Sequence, residues 1–339
     1  MNIDTLKSTA KELVAPGKGI LAADESTGTI KKRFDAVGVE STSENHRIYR
    51  QMLFKTLGIE EFISGVIMYD ETIRQHSDEG IPLPKLLSDK GIIPGIKVDK
   101  GTVGLENFPS EKITEGLDGL RERLGEYSQM GARFTKWRAV IKIGEKIPSE
   151  VCITSNADGL ARFAALSQEA DLTPIIEPEV LMDGNHDLEK CEEVTYKTLK
   201  TVFSYLDKHK VYLPGLLLKP NMMIPGKDNQ QKAESSEIAE ATIRCFSMVV
   251  PEEVPGVVFL SGGQSPEEAT LNLNELNKKD KVPWQLSFSY GRALQEPVLK
   301  AWGGKPENIE KAQQEFYKRA KLNSLARKGK YQKEMEEEE

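Results

Sequence analysis

Three lysines each stand at the end of a short apolar run: Lys97 after Ile92-Ile93-Pro94-Gly95-Ile96, Lys136 after Ala132-Arg133-Phe134-Thr135, and Lys219 after Leu216-Leu217-Leu218. Ammonium groups facing one cavity repel each other and lose hydration, so a purely structural design avoids them. Two kinds of chemistry reward the arrangement. Cations hold a substrate bearing more than one phosphate, and a lysine whose pKa is lowered becomes a neutral nucleophile. Taking a lysine from about 10.4 to about 7.5 requires roughly 4 kcal/mol, which burial and a neighbouring cation can supply. Lys219 is the strongest candidate, because its run is the most apolar and Pro220 cannot continue the strand behind it. The plain alternative is a strand-end lysine that snorkels to solvent.

Carboxylates accompany the lysines. Glu177-Pro178-Glu179 places two acids after Pro174-Ile175-Ile176, and Asp24 follows Gly19-Ile20-Leu21-Ala22-Ala23. Such groups can pass protons to and from a bound sugar, or serve as simple ion pairs at a cavity mouth. Anion-binding features follow later in the chain. Ser261-Gly262-Gly263 leads into a helix start at Ser265-Pro266-Glu267-Glu268, so uncrowded backbone N–H groups can approach a phosphate. Ser289-Tyr290-Gly291-Arg292 adds a guanidinium suited to a forked grip on the same group.

The elements that must position these residues repeat. Eight apolar runs end at Asp24, Asp70, Lys97, Lys136, Glu177, Lys219, Ser261 and, through Ser289, Arg292, with ends 27 to 46 residues apart. That spacing is a strand, a loop and a helix, and eight such units close an α/β (β/α)8 TIM barrel whose C-terminal strand ends form one active-site face. A single domain over residues 1–331 is expected, with helices at residues 3–13 and about 307–328. Residues 110–124, with Ile113, Leu117, Leu120 and Leu124 in a stripe, read as a helix packed on the barrel. The glutamate-rich residues 332–339 are expected to be disordered, and they carry most of the formal net charge of −7.

Several function classes are set aside by pattern. Gly17-Lys18-Gly19-Ile20-Leu21-Ala22 fits a dinucleotide fingerprint, but a helical segment precedes it and the strand follows, the reverse of the required order. No basic stripe suggests nucleic acid, and no apolar run reaches membrane-spanning length. Cys152, Cys191 and Cys245 are odd in number and widely spaced, which points to buried thiols in a reducing compartment. A cytoplasmic location is expected, or a plastid one after removal of a transit segment. His46, His76, His186 and His209 show no metal-ligand spacing, so a metal-dependent barrel enzyme is disfavoured and no cofactor is expected.

Seven segments in order closely resemble class I fructose-1,6-bisphosphate aldolase: Leu21-Ala22-Ala23-Asp24-Glu25-Ser26-Thr27-Gly28, Gly95-Ile96-Lys97-Val98-Asp99-Lys100-Gly101, Lys136-Trp137-Arg138, Pro174-Ile175-Ile176-Glu177-Pro178-Glu179, Leu218-Lys219-Pro220-Asn221-Met222, Phe259-Leu260-Ser261-Gly262-Gly263-Gln264 and Phe288-Ser289-Tyr290-Gly291-Arg292-Ala293-Leu294. The resemblance implies reversible cleavage of fructose 1,6-bisphosphate to dihydroxyacetone phosphate and glyceraldehyde 3-phosphate. It implies a Schiff base on Lys219, proton shuttling by Glu177 with Lys136 and Glu179, and a base at Asp24 for the hydroxyl beside the broken bond. It assigns the ketone-side phosphate to Ser261, Gly262, Gly291 and Arg292 and the other phosphate to Ser26, Thr29 and Lys97. Arg138, Gly263 and Ser289 complete the substrate-binding set.

The resemblance also implies a metal-independent enzyme and a homotetramer, with Asp118 at a subunit contact. Animal members close with a tyrosine that assists proton exchange on the enamine, whereas this sequence ends in a glutamate run. Retained cleavage with an altered enamine protonation step is therefore expected. The alternative function is a barrel kept as a scaffold or binding protein with weak catalysis.

Overall fold

The computed structural model describes residues 1–279 and 281–337. Eight parallel strands close a barrel in sequential order: β1 (Gly19–Ala23), β2 (Ile63–Met68), β3 (Ile93–Lys97), β4 (Phe134–Ile141), β5 (Thr173–Val180), β6 (Leu217–Leu218), β7 (Gly256–Phe259) and β8 (Gln285–Tyr290). Each coincides with one of the eight apolar runs. Closure is made between β1 and β8, where Leu21 pairs with Tyr290.

Alternation along each strand sorts its side chains into two layers. Outward residues such as Leu21, Val66, Ile96, Trp137, Ile176, Leu218 and Phe259 pack beneath the surrounding helices. Inward residues Ile20, Ala22, Ile67, Ile93, Phe134, Ile175, Leu217 and Val258 fill the barrel itself. Phe134 needs room, which Gly95 provides: a Cβ there would lie 2.2 Å from the Phe134 ring. The helix Ile3–Leu13 closes the N-terminal mouth by adding Ala10 and Leu13 to the inner layer. Complete burial of Leu13 alone contributes about 1.5–3 kcal/mol.

Two expectations about elements need correction. Residues 110–114 are not helical, because Asn107 and Ser110 have φ of 63° and 70°, and Lys112–Thr114 instead pairs antiparallel with Thr102–Gly104. The helix begins only at Leu120, after Gly116 and Gly119 at φ 124° and 64°, and runs to Gln129 with Leu120 and Leu124 buried. The glutamate-rich end is the second case. Lys333–Glu336 forms a short 3-10 turn, and Glu336 reaches the buried Arg319 with both carboxylate oxygens at 2.6 Å, while Tyr331 donates to its Oε1 at 2.9 Å. A buried guanidinium recruits a carboxylate that composition alone would leave in solvent. Residues 338–339 lie outside the described residues.

Elsewhere the helix signals hold. Ser265 and Glu268 form a capping box on the helix Pro266–Lys278, and the last long helix is Ile309–Ala326. Cys152, Cys191 and Cys245 are free and buried. Gly19 of the apparent dinucleotide fingerprint is the first residue of β1. Among the described residues, no helix is long and apolar enough to cross a membrane.

Candidate active site

The chemistry-bearing residues are the next inward positions above the apolar layer. Asp24 lies two residues after Ala22, Lys136 two after Phe134, Glu177 two after Ile175 and Lys219 two after Leu217. Period-two alternation thus delivers all four into one cavity at the C-terminal strand ends. Lys97 arrives by the same parity, four residues after Ile93.

At the floor the four groups form a chain of alternating charge. Lys136 Nζ donates to Asp24 Oδ2 at 3.0 Å and pairs on its other side with Glu177 Oε2. Glu177 Oε1 lies 3.1 Å from Lys219 Nζ. Lys136, Glu177 and Lys219 are almost wholly buried. Burial by itself disfavours every one of these charges, so the pairing decides their state. Burial pulls the Lys136 pKa down, but Asp24 and Glu177 outweigh it and hold the ammonium well above the usual lysine range. Burial pushes Asp24 and Glu177 up, but for both Lys136 first and Lys219 second outweigh it, leaving both carboxyls below their ordinary values.

A second row lies above the floor. Arg138 Nε donates to Glu179 Oε2 at 2.5 Å, and burial of Arg138 is outweighed by Glu179 and Glu177, which raise its pKa. Lys97 Nζ donates to Asp99 Oδ1 at 2.5 Å and to the Asp99 carbonyl at 2.8 Å. Asp99 also accepts from the Arg138 backbone N–H at 3.2 Å, which ties the segment after β3 to the middle of β4.

Two helix starts flank this arrangement. Gly291 caps the helix Arg292–Trp302, and Arg292 donates to the Gly262 carbonyl, bringing the two glycine loops together. Ser289 Oγ is buried beside them with no hydrogen-bond partner among the described residues. On the other flank, Ser26 precedes the helix Thr27–Asp35 without a side-chain cap, and its Oγ lies 3.2 Å from Thr29 Oγ1. Exposed N–H groups at such helix starts favour anions.

The cavity has a volume of about 980 Å³ and is lined by all the sequence-derived site residues except Gly263. Gly263 is the correction: its N–H points at Met182 Sδ, 2.8 Å away, and a Cβ there would collide with that side chain. Its smallness serves loop packing. The cavity also includes residues the sequence reading missed, chiefly Glu25, Arg33 and Asp99. Arg33 was legible in principle, since Thr29 and Arg33 are four apart on one helix and share a face. Ten basic and six acidic side chains line the cavity, a positive balance in a chain whose formal net charge is −7. None of the four histidines is among them.

A buried lysine touching a carboxylate, between two helix N-termini of the kind that attract anions, suits imine chemistry on a phosphorylated carbonyl compound. Comparison with known proteins gives the family. The family model described as Fructose-bisphosphate aldolase class-I matches residues 5–339. The chain belongs to the class I fructose-bisphosphate aldolase family. Relatives include a probable fructose-bisphosphate aldolase class 1 of Xanthomonas campestris, 54% identical over 98% of this chain and 99% of that protein. Fructose-bisphosphate aldolase 1 of Toxoplasma gondii is 55% identical over 96% of this chain and 90% of its own length. The solved structure of the Plasmodium falciparum fructose-bisphosphate aldolase, in complex with TRAP and a small-molecule inhibitor, superposes with a TM-score of 0.96 at 50% identity. It covers 97% of this chain and 95% of that one. As a class I fructose-bisphosphate aldolase, the protein is a carbon–carbon lyase built on a TIM barrel.

Proposed function

We propose that the protein cleaves fructose 1,6-bisphosphate reversibly to dihydroxyacetone phosphate and glyceraldehyde 3-phosphate through a Schiff base on Lys219. The observation that carries the reading is the 3.1 Å approach of Lys219 Nζ to Glu177 Oε1 on the cavity floor. Lys219 gives one ammonium proton to Glu177. The freed amine bonds to the ketone carbon of the open-chain sugar as the C=O π pair moves to oxygen, and a second N–H proton passes to that oxygen to form the carbinolamine. Glu177 returns its proton to the carbinolamine hydroxyl, which leaves as water and generates the iminium. Asp24 then takes the proton of the hydroxyl beside the bond to be broken. The carbon–carbon bonding pair moves to the iminium nitrogen, the aldehyde departs, and an enamine remains on Lys219. Protonation of the enamine carbon and hydrolysis by water release dihydroxyacetone phosphate and regenerate the amine.

Lys136 sits between the two carboxylates and keeps them apart electrically, so Glu177 serves the imine and Asp24 the carbon–carbon bond. Glu179, fixed by Arg138, borders Glu177 on the same strand. Ser261, Gly262, Ser289, Gly291 and Arg292 hold the ketone-side phosphate, and Ser26, Thr29, Lys97 and Arg138 serve the far end of the substrate. The assembly we propose is a homotetramer, and the exposed Asp118 is available for a subunit contact. A cytosolic location fits the relatives, among which are aldolases named cytosolic and cytoplasmic from Arabidopsis thaliana and Spinacia oleracea.

Borohydride reduction in the presence of dihydroxyacetone phosphate, followed by peptide mapping, tests the mechanism. A stable adduct on the Lys219 peptide, with activity lost in step and insensitive to chelator, is the expected result. An adduct elsewhere, or cleavage abolished by chelator with no adduct, overturns it.

A further inference from the structure

In and behind one wall of the cavity lies a polar network that makes no hydrogen bond to the floor groups. Glu25, next to Asp24 in sequence, is gripped by two guanidinium groups, Arg33 on Oε1 and Arg50 on Oε2. Gln295 completes the set. Its Nε2 donates to Glu25 Oε1 at 2.9 Å and to the Ala22 carbonyl at 2.8 Å, while its Oε1 accepts from Arg50 Nη1 at 3.0 Å. Gln295 is fully buried and Arg50 is 2% exposed, whereas Arg33 reaches the cavity. Every polar atom of the Gln295 amide and both oxygens of Glu25 are thereby committed.

The network joins four pieces of chain, three of them helices that also pack on one another through Phe34, Tyr49 and Trp302. Glu25 lies two residues past the end of β1, Arg33 belongs to the helix Thr27–Asp35, Arg50 to the helix Ser43–Lys55 and Gln295 to the helix Arg292–Trp302. Two of those helices begin at the two anion-binding flanks, Ser26 and Gly291. The junction is close: a Cβ on Gly291 would lie 3.2 Å from the Ala22 carbonyl and 3.7 Å from Arg33 Nη2. Because Arg50 and Gln295 neutralise and orient Glu25, Arg33 engages that carboxylate through one amine and leaves its other face to the cavity. Without them, Glu25 would stand buried with one counter-charge and draw Arg33 back into the wall.

We propose that Arg50 and Gln295 are positioning residues that set the separation of the two phosphate subsites, and so determine preference for a substrate carrying two phosphates over one carrying a single phosphate. The proposal rests on the aldolase reading above. A substrate that spans both subsites is sensitive to their spacing. One that occupies a single subsite is not. Neither residue touches the substrate, so binding of the bisphosphate changes more than the chemical step.

The test compares steady-state cleavage of fructose 1,6-bisphosphate and fructose 1-phosphate by Arg50→Met, Arg50→Lys and Gln295→Met, each checked by thermal melting and by borohydride trapping on Lys219. In Arg50→Met and Gln295→Met, KM for the bisphosphate should rise about tenfold or more, with kcat and kcat/KM for the monophosphate within about threefold of the parent. Arg50→Lys should recover part of the preference, since it restores the charge but not the fork. If Arg50→Met does not fold, Gln295→Met and Arg50→Lys carry the same comparison. Equal losses for both substrates, or an unchanged ratio in the folded variants, overturn the proposal. Failure of trapping in the parent enzyme instead overturns the Schiff-base reading, so the two failures are distinguishable.

Discussion

Lys136 lies between Asp24 and Glu177, 3.0 Å from the first and in ion-pair contact with the second, so one ammonium group is shared by two carboxylates and favours the ionised form of each. Against burial, which raises both pKa values, Lys136 is the first contributor for each acid and Lys219 the second. The stability and the chemistry of the site therefore turn on the same nitrogen.

Replacing Lys136 by Met should lower unfolding stability at pH 7 by about 3–5 kcal/mol, because Asp24 loses its ion-pair partner and Glu177 keeps only Lys219. The pH dependence has a defined sign. Asp24 and Glu177 have folded pKa values below their ordinary 3.8 and 4.5, so their contribution is complete above those values and is lost as pH falls through the lower folded ones. Lys136 is raised above 10.5, so its contribution is complete below that value and is lost as pH rises through the folded one. The gap in urea midpoint between the parent and Lys136→Met should be widest between about pH 5 and pH 10 and should narrow below about pH 4. A gap that is constant down to pH 3 would contradict the assignment.

Glu177→Gln keeps the shape of the floor but removes the carboxylate proposed to carry protons beside Lys219. Imine formation, followed by the rate of borohydride-trapped adduct, should slow by about 10²–10⁴-fold. Affinity for the bisphosphate, measured by calorimetry, should change much less, since the phosphate subsites lie elsewhere. Comparable losses of binding and trapping would show that Glu177 shapes the pocket instead of carrying protons.

Ser289 offers opposite outcomes for folding and function. Its buried hydroxyl has no partner among the described residues, so Ser289→Ala should leave stability within about 1 kcal/mol of the parent, with either sign. KM for phosphorylated substrates should rise several-fold if the hydroxyl is held for an anion. A clear fall in melting temperature with unaltered KM would mark it as a structural residue.

Glu336 gives the glutamate-rich end a structural duty. Among the described residues, Glu336→Ala leaves the buried Arg319 guanidinium with only the Pro266 carbonyl and Thr270 Oγ1 as acceptors, and should cost about 1–3 kcal/mol in thermal or urea unfolding. Deleting residues 332–339 should produce a similar loss of stability while carbon–carbon cleavage persists. Single-turnover enamine protonation is the step to watch. Its collapse in the deletion variant would show that this segment takes part in the reaction.

The barrel was legible because each strand announced itself locally. A run of apolar residues ending in one polar residue is what a strand buried on both faces must look like, and eight of them coincide with the eight strands. The helix expected at residues 110–124 failed at its start for an equally local reason, the left-handed backbone at Ser110, to which an apolar stripe is blind. Gly263 was misread because smallness has two uses. A glycine that admits a phosphate and a glycine that admits Met182 look alike in sequence.

By itself, the sequence determined the strand parity, and with it which side chains could share the interior: Asp24, Lys136, Glu177 and Lys219 each follow an inward apolar residue by two. It could not determine their pairing. Which carboxylate meets which lysine depends on barrel closure and strand stagger, and these bring Lys136 to Asp24 across 112 residues of chain and Lys219 to Glu177 across 42. Only the tertiary structure decided that Glu25, Arg50 and Gln295 form one buried network and that Glu336 closes on Arg319. Burial removes water as the competing partner, so a charge or an amide takes whichever group the fold brings near, however distant in sequence.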